Sequence, residues 1–171
     1  NSDHESIEKD VERIEWDVDA AEKGGYEHFM IKEIFEQPEA LRKTISPRLN
    51  NGKIVLDDFT LTKEQLENID KVFIVACGTA YHVGVVAKYA FERLVKIPIE
   101  VDVASEFRYR DPIIDERTLV IIISQSGETA DTLAALREAK AHGCRVLSIV
   151  NLAAAPLATE PAMYLYPWPA P

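Results

Sequence analysis

Two apolar runs dominate the middle of the chain, and each ends in small or hydroxylated residues. The first, "KVFIVACGT", starts at Lys71, and the second, "TLVIIIS", starts at Thr118. Continuous apolar runs of this length are typical of strands buried on both faces of a parallel sheet. "IEVDVAS" and "RVLSIVN" add two further strand patterns, the first of which alternates. We therefore predict four strands of one sheet between residues 71 and 151.

Helical patterns separate these predicted strands. In "AYHVGVVAKYAFERLVK", apolar residues recur on one side of a helix, namely Val83, Val86, Ala87, Ala90 and Leu94. "TLAALREAKAHG" predicts a second crossover helix that ends at Gly143, whereas "FRYRDPIIDER" predicts a polar connection. Because strands and helices alternate with short links, we expect an α/β fold with a parallel sheet, right-handed crossovers and helices on both faces.

The first seventy residues have a different pattern. Residues 1–25 are rich in charge and poor in apolar side chains, which predicts a linker or arm closed by Gly24 and Gly25. Residues 26–70 predict a helical segment, in which Pro38 ends one helix and opens the next. "NNGKIVLDDFTLT" then predicts a polar turn and a short extended piece. Thr62 and Gln65 have the spacing of a capping box at the start of a short helix.

Alanine and proline dominate the last stretch, "LAAAPLATEPAMYLYPWPAP". A helix and a strand are expected after "SIVN" in this kind of sheet, but the prolines from Pro161 to Pro171 oppose any long regular element. We therefore predict that the third unit, residues 71–171, is truncated or poorly ordered after about residue 151.

Charge and cysteine content narrow the function classes. A formal net charge of −10 argues against nucleic-acid binding and against electrostatic binding to anionic membranes. The two cysteines, Cys77 and Cys144, form no C-x-x-C pattern, which favours a reducing cytoplasm over a disulfide framework. We expect no membrane span and no signal peptide. The chain does not begin with methionine, so we expect a fragment of a longer protein.

The chemistry-bearing residues follow the two apolar runs. Ligands of open α/β sheets bind at the carboxyl ends of strands, where "ACGTAYH" and "SQSGETADT" both offer glycine and hydroxyl groups at a helix start. Ser124, Ser126 and Thr129 can donate O–H bonds to a phosphate beside the unpaired N–H groups of the helix. Gly127 lets the backbone approach such a ligand closely.

Helix capping is the alternative role for Ser126 and Thr129. Capping is favoured for a single serine at such a place, but three hydroxyl groups around one glycine after a buried strand bring anion binding level with it. Residues 124–132 contain no lysine or arginine. The chain has neither G-x-x-x-x-G-K-[ST] nor G-x-G-x-x-G, which argues against an ATPase and a dinucleotide enzyme. We expect no cofactor.

Other candidate residues have simpler alternatives. Cys77 with His82 as a base is a candidate nucleophile, but a small buried hydrophobic residue is favoured. Glu128 and Asp131 fit helix-dipole partners better than acid/base groups. The four histidines have no metal-ligand spacing, so we expect no metal. "SEFRYR", with Arg108 and Arg110, fits an anion or subunit contact or simply a solvated loop.

Three motifs together resemble a known family. "CGTAYH", "ASEFRYR" and "SQSGETADT" closely resemble the isomerase region of glutamine–fructose-6-phosphate aminotransferases, and "EWDVDAAEKGGYEHFMIKEIFEQP" resembles their interdomain linker. The resemblance runs from about Ile14 to Asn151. It implies a flavodoxin-like sugar isomerase (SIS) domain preceded by a helical arm, in agreement with the pattern of strands and helices.

The resemblance also implies site residues. The positions that hold the sugar phosphate in that family are matched here by Ser124, Gln125, Ser126 and Thr129, with a further hydroxyl contact from Thr79. Possible additional contacts are Gly78, Ala80 and Gly127. The chain departs from the family at Ala80, where serine is frequent, and at Ala154, Ala155 and Pro156, where a "GSS"-like turn is usual.

The implied function is that of part of an enzyme. The family makes glucosamine 6-phosphate from fructose 6-phosphate and glutamine, and its proton-transfer groups and glutaminase domain belong to segments other than this one. The resemblance therefore implies a fragment that binds sugar phosphate without catalysis, from a homodimeric cytoplasmic enzyme. A non-catalytic sugar-phosphate-sensing SIS module of a regulator is the alternative, although the linker favours the amidotransferase.

Overall fold

A computed structural model describes residues 22–56, 59–151, 155–159 and 163–167. Most of the predicted arm, residues 1–21, lies outside the described residues, and so do Ala154 and residues 160–162 and 168–171 of the tail. In chain order the helices and strands are α1 (Phe29–Ile45), β1 (Leu49–Asn50), β2 (Lys53–Ile54), α2 (Lys63–Glu67), β3 (Lys71–Ala76), α3 (Gly78–Val95), β4 (Ile99–Val103), α4 (Ala104–Tyr109), β5 (Thr118–Ser124), α5 (Ala130–Ala141), β6 (Arg145–Val150), α6 (Pro156–Thr159) and β7 (Met163–Leu165).

Five strands form a wholly parallel sheet in the order β4-β3-β5-β6-β7. This is the flavodoxin-like order, in which the chain moves outward from β3 to β4 and then crosses to the other side of β3 to add β5. The predicted parallel sheet, with helices on both faces and a helical segment before it, is confirmed. After residue 151 the described residues include the short helix α6 and the strand β7.

One face of the sheet holds the larger core. Phe73 and Phe107 pack edge-to-face there, with ring centroids 5.5 Å apart. Leu136 of α5 and Val120 of β5 are fully buried in the same cluster. The prediction of a polar connection over "FRYRDPIIDER" is wrong for its first three residues, which belong to the helix α4. The buried side chain of Phe107 holds this helix on the core.

The opposite face is covered by α3 through small residues. A Cβ at Gly84 would lie 2.9 Å from Ile74 Cγ2 and 3.0 Å from Val101 Cγ1, so only glycine allows this approach. Only part of the apolar side that we predict for α3 therefore packs on the sheet. Ala87 contacts the core, whereas Val86 and Leu94 are 72% and 75% exposed.

The N-terminal segment differs from the prediction at Pro38, which lies inside the continuous helix α1. The proline removes one helical N–H bond, while Arg42 and Glu39 pair at 3.1 Å across the turn that follows it. The predicted turn is a hairpin in which Asn51 and Gly52 have φ of 50° and 75° between β1 and β2, the geometry that an Asn-Gly pair favours.

The capping box of α2 is confirmed. The Thr62 amide donates to Gln65 Oε1 at 2.9 Å, and the Gln65 amide donates to Thr62 Oγ1 at 3.2 Å. Within the described part of the chain, none of the helices combines the length and the apolar content that crossing a bilayer would require.

Candidate functional site

The carboxyl ends of β3 and β5 lie side by side at one edge of the sheet. Ala76, the last residue of β3, is paired with Ile123 of β5. The chain leaves β3 toward α3 and leaves β5 toward α5, on opposite faces of the sheet, so this is the point where the strand order reverses. Such switch points are the usual ligand sites of open α/β sheets. The structure thus brings together the two segments that the sequence singles out.

The segment from the last residue of β5 to the N-cap of α5, Ser124–Thr129, is called the cradle loop below. Ser124 is buried, and its Oγ accepts the Gly127 amide at 3.0 Å. Ser126 is half-buried, and its Oγ accepts the Glu128 amide at 3.3 Å. These bonds curl the loop on itself, and each hydroxyl keeps its own hydrogen as a donor.

Gly127 fixes where the cradle loop lies. Its φ is +67°, and a Cβ there would lie 2.6 Å from both Ala155 Cβ and Val150 Cγ2. The Gly127 carbonyl also accepts the Leu157 amide at 3.1 Å. The cradle loop is therefore packed against the segment that follows β6, at a position where no residue with a side chain fits.

Thr129 stands at the N-cap position of α5 but makes no capping bond with its side chain. Its carbonyl instead accepts the buried Thr132 hydroxyl at 2.7 Å. The capping role proposed for Thr129 is thus absent, and its exposed hydroxyl lies beside the free N-terminus of the helix. Gln125, also exposed, completes the loop.

The segment after β3, Cys77–Ala80, starts the helix α3. Gly78 has φ +57°, and nothing lies within 4 Å of where its Cβ would be. Thr79 is exposed in the first helical turn, and Ala80 is half-buried. Cys77 occupies the N-cap position without a capping bond. This helix start is therefore exposed, as the start of α5 at Thr129 is, and Thr79 supplies its hydroxyl.

Cys77 does not have the environment of a nucleophile. Burial raises the pKa of its thiol, and the nearby Asp131 carboxylate raises this pKa further. Hydrogen bonds with the backbone of Ala104 and Ser105 lower the pKa but do not cancel the rise. The thiol therefore stays protonated near neutral pH, where a nucleophile needs the thiolate. His82, the candidate base, is exposed and packs edge-on against Tyr81 with ring centroids 5.5 Å apart.

An ion pair that sequence reasoning missed lies at the start of α5. Asp131, in the first helical turn, pairs with Arg108 of α4, whose Nη1 lies 3.5 Å from Asp131 Oδ1. The sequence marks Asp131 as a dipole partner and Arg108 as an anion contact, but no spacing rule connects residues that far apart. Arg110 lies instead at the edge strand, where its Nε is 2.5 Å from Asp102 Oδ2.

A second missed grouping lies near the other end of α5. Ligand atoms of Asp111, Glu138 and His142 lie within 4.8 Å of one another. Histidine spacing in the sequence does not reveal this group, because it contains a single histidine beside two carboxylates. His142 Nδ1 lies 3.0 Å from the Glu138 carbonyl oxygen, so ordinary hydrogen bonding within the turn accounts for its position.

Comparisons with known proteins agree on one family. The family model of the SIS domain matches residues 65–167. The glutamine–fructose-6-phosphate aminotransferase (isomerizing) of Clostridium acetobutylicum is 60% identical over 100% of the chain, which spans 28% of that protein's length.

Solved structures show the same relationship. The C-terminal domain of glucosamine-fructose-6-phosphate aminotransferase from Francisella tularensis is similar to this chain, with 43% sequence identity and a TM-score of 0.78. The match covers 86% of this chain and 42% of the Francisella chain. Glucosamine-6-phosphate deaminase from Thermotoga maritima is also similar, with 28% sequence identity and a TM-score of 0.62. That match covers 82% of this chain and 40% of the Thermotoga chain.

Proposed function

The chain belongs to the SIS domain family, and from this premise we propose that it is the sugar-phosphate-binding part of a glutamine–fructose-6-phosphate aminotransferase. The observation that carries the proposal is the meeting of two open helix starts at the switch point of the sheet. The similarity to the aminotransferases of Clostridium acetobutylicum and Francisella tularensis supports this particular enzyme.

Hydroxyl groups and a helix N-terminus would hold the phosphate. Ser126 and Thr129 donate O–H bonds to its oxygens, and Thr79 adds one from the neighbouring strand end. Ser124 and Gln125 shape and line the cradle loop, while Gly78 and Ala80 let the backbone approach. Gly127 serves the site indirectly, because its missing side chain lets the cradle loop pack against the segment after β6. The partial positive charge of the α5 N-terminus favours the anion, although residues 124–132 contain no basic side chain.

Binding the phosphate would prepare the sugar for chemistry at its other end. An interaction remote from the reacting atoms fixes the orientation of the substrate, and that orientation lowers the barrier of a later step. The whole enzyme would convert fructose 6-phosphate and glutamine to glucosamine 6-phosphate and glutamate. The 171-residue chain would bind the sugar phosphate and turn nothing over, because the proton-transfer groups belong to other segments.

Two partners belong to the same proposal: a second subunit in a homodimer, and a glutaminase domain in the full-length protein. Exposed apolar side chains on α1 and α3 support a further protein contact, among them Phe35 at 63% and Leu94 at 75% exposure. We retain a cytoplasmic location as a prediction.

Calorimetric titration with fructose 6-phosphate tests the proposal. We expect binding to the 171-residue chain and none of comparable strength for fructose, which lacks the phosphate. Ser126→Ala with Thr129→Ala should weaken binding about a hundredfold or more, since hydrogen bonds to charged groups contribute roughly 1.5–3 kcal/mol each. Thr60→Ala, at an exposed threonine outside the site, is the matched control. Unchanged binding by the double variant would show that the phosphate lies elsewhere.

A further inference from the structure

A negative charge stands at the proposed phosphate site. Asp131 follows Thr129 by two residues and lies in the first turn of α5. A carboxylate there stabilises the helix through the macrodipole. Because Asp131 and Thr129 share one helical turn, this carboxylate would repel a phosphate dianion bound at the cradle loop. Such repulsion is felt over about 8 Å at physiological ionic strength.

The structure places a cation on this carboxylate. Arg108 Nη1 lies 3.5 Å from Asp131 Oδ1, and the two side chains are 41% and 39% exposed. Arg108 comes from α4, which its neighbour Phe107 anchors in the core with no exposed surface. The guanidinium also lies 4.9 Å from the centre of the Tyr109 ring. The cation is therefore held by a fixed helix beside the start of α5.

The field of Asp131 reaches the other half of the site as well. After burial, which is the main cause, Asp131 is the carboxylate that raises the pKa of the Cys77 thiol. Cys77 directly precedes the turn that carries Gly78 and Thr79. An unpaired charge on Asp131 would thus act on both strand ends.

We propose that Arg108 is a positioning residue for phosphate binding: it neutralises Asp131 and so removes a like charge from beside the cradle loop. This inference rests on the proposed function. It assigns to Arg108 of α4 a part in phosphate binding without a contact to the phosphate. It also explains how a loop without basic residues accepts a dianion next to an acidic side chain.

An ordinary surface ion pair is the alternative, and Arg110 provides the comparison. Arg110 also follows Phe107 closely, but it pairs with Asp102 at 2.5 Å and with Glu100 at 3.6 Å on the edge strand β4. If Arg108 serves only general stability or net charge, loss of either arginine will have the same effect on binding.

The test is calorimetric titration of the 171-residue chain with fructose 6-phosphate at low ionic strength. We expect Arg108→Gln to weaken binding about two- to fivefold, the range of a half-exposed charge pair. Asp131→Asn should bind at least as tightly as the unmodified chain, and the double variant should return close to it. Arg110→Gln should bind normally. At about 0.5 M salt the loss of affinity in Arg108→Gln should vanish, because charges more than roughly 5 Å apart are then largely screened from one another.

Two results would overturn the inference while leaving the proposed function intact. One is normal binding by Arg108→Gln at low salt. The other is a double variant as weak as Arg108→Gln, which would mean that Arg108 contacts the phosphate itself. Failure of the proposed function is distinguishable: the unmodified chain would not bind fructose 6-phosphate, or the cradle-loop variants Ser126→Ala and Thr129→Ala would bind normally, and either would overturn both. Circular dichroism of each variant establishes that it is folded before titration.

Discussion

The amide of Leu157 donates to the carbonyl of Gly127 at 3.1 Å, which ties the segment after β6 to the cradle loop. Both residues are buried, and neither carries a group that would touch a phosphate. The bond shows that the proposed site depends on a third strand end, although only two supply its hydroxyl groups. Correct packing of the segment after β6 is therefore a condition for the shape of the cradle loop.

Gly127→Ala should both destabilise the protein and weaken sugar-phosphate binding. The new Cβ would meet Ala155 Cβ and Val150 Cγ2 at 2.6 Å, on a backbone with φ +67°. Overpacking and the strained φ together predict a loss of about 2–4 kcal/mol in urea denaturation. Gly143→Ala is the control, since its φ is +76° and its nearest neighbour would be 3.9 Å away. Equal losses for the two variants would mean that backbone conformation alone matters.

Gly84→Ala should destabilise the protein even though alanine favours helices. In an exposed helix the change would stabilise by about 1 kcal/mol. Here the Cβ would lie 2.9 Å from Ile74 Cγ2 and push α3 off the sheet, so we expect a net loss of about 1–3 kcal/mol. Thermal unfolding measures the sign, and a raised melting temperature would contradict the packing described for this face.

Ser148→Ala should stabilise the protein, by about 1 kcal/mol. The Ser148 hydroxyl is fully buried and has no hydrogen-bond partner among the described residues, so its removal relieves a desolvation cost. Thr118→Val is the matched comparison, because the equally buried Thr118 hydroxyl bonds to Asp115 Oδ1 at 3.2 Å. That variant should lose about 1 kcal/mol in urea denaturation. A destabilised Ser148→Ala protein would reveal an unrecognised partner of this hydroxyl.

Stability should fall with alkaline pH through Cys144. Burial, with a smaller effect of Asp115, raises the pKa of this thiol from 9.0 to about 11. The folded state therefore favours the protonated thiol. The resulting contribution to the free energy of unfolding is full below pH 9 and is lost as the pH rises toward 11. The measure is the difference in unfolding free energy between the unmodified chain and Cys144→Ala, because this difference removes the contributions that both proteins share. That difference should shrink from pH 8 to pH 11, and a constant difference would contradict the assigned pKa.

The sequence predicts the sheet and the location of the site better than it predicts the packing around them. The apolar runs at Lys71 and Thr118 identify buried strands because few other elements tolerate such runs. The rule that parallel strands end at one edge then places Thr79 near Ser126. Both inferences need only local pattern and topology.

Other features depend on which residues meet in space. The Arg108–Asp131 pair and the contact of Gly127 with Ala155 join segments far apart in the chain, and no periodicity encodes them. Pro38 inside α1 shows a local preference overridden by the helix around it. The phosphate contacts of Thr79 and the cradle loop remain predictions that the titrations above address.

The close packing of α3 through Gly84 has a practical consequence for protein engineering. Because the sheet contact uses small side chains, the large outward residues Val86 and Leu94 contribute little to the core that α3 covers. Their replacement by glutamate or lysine removes exposed apolar area without opening a cavity. The outer surface of α3, which supports the proposed protein contact, can thus be altered without disturbing the sheet. Such variants would separate the loss of a subunit contact from the loss of folding.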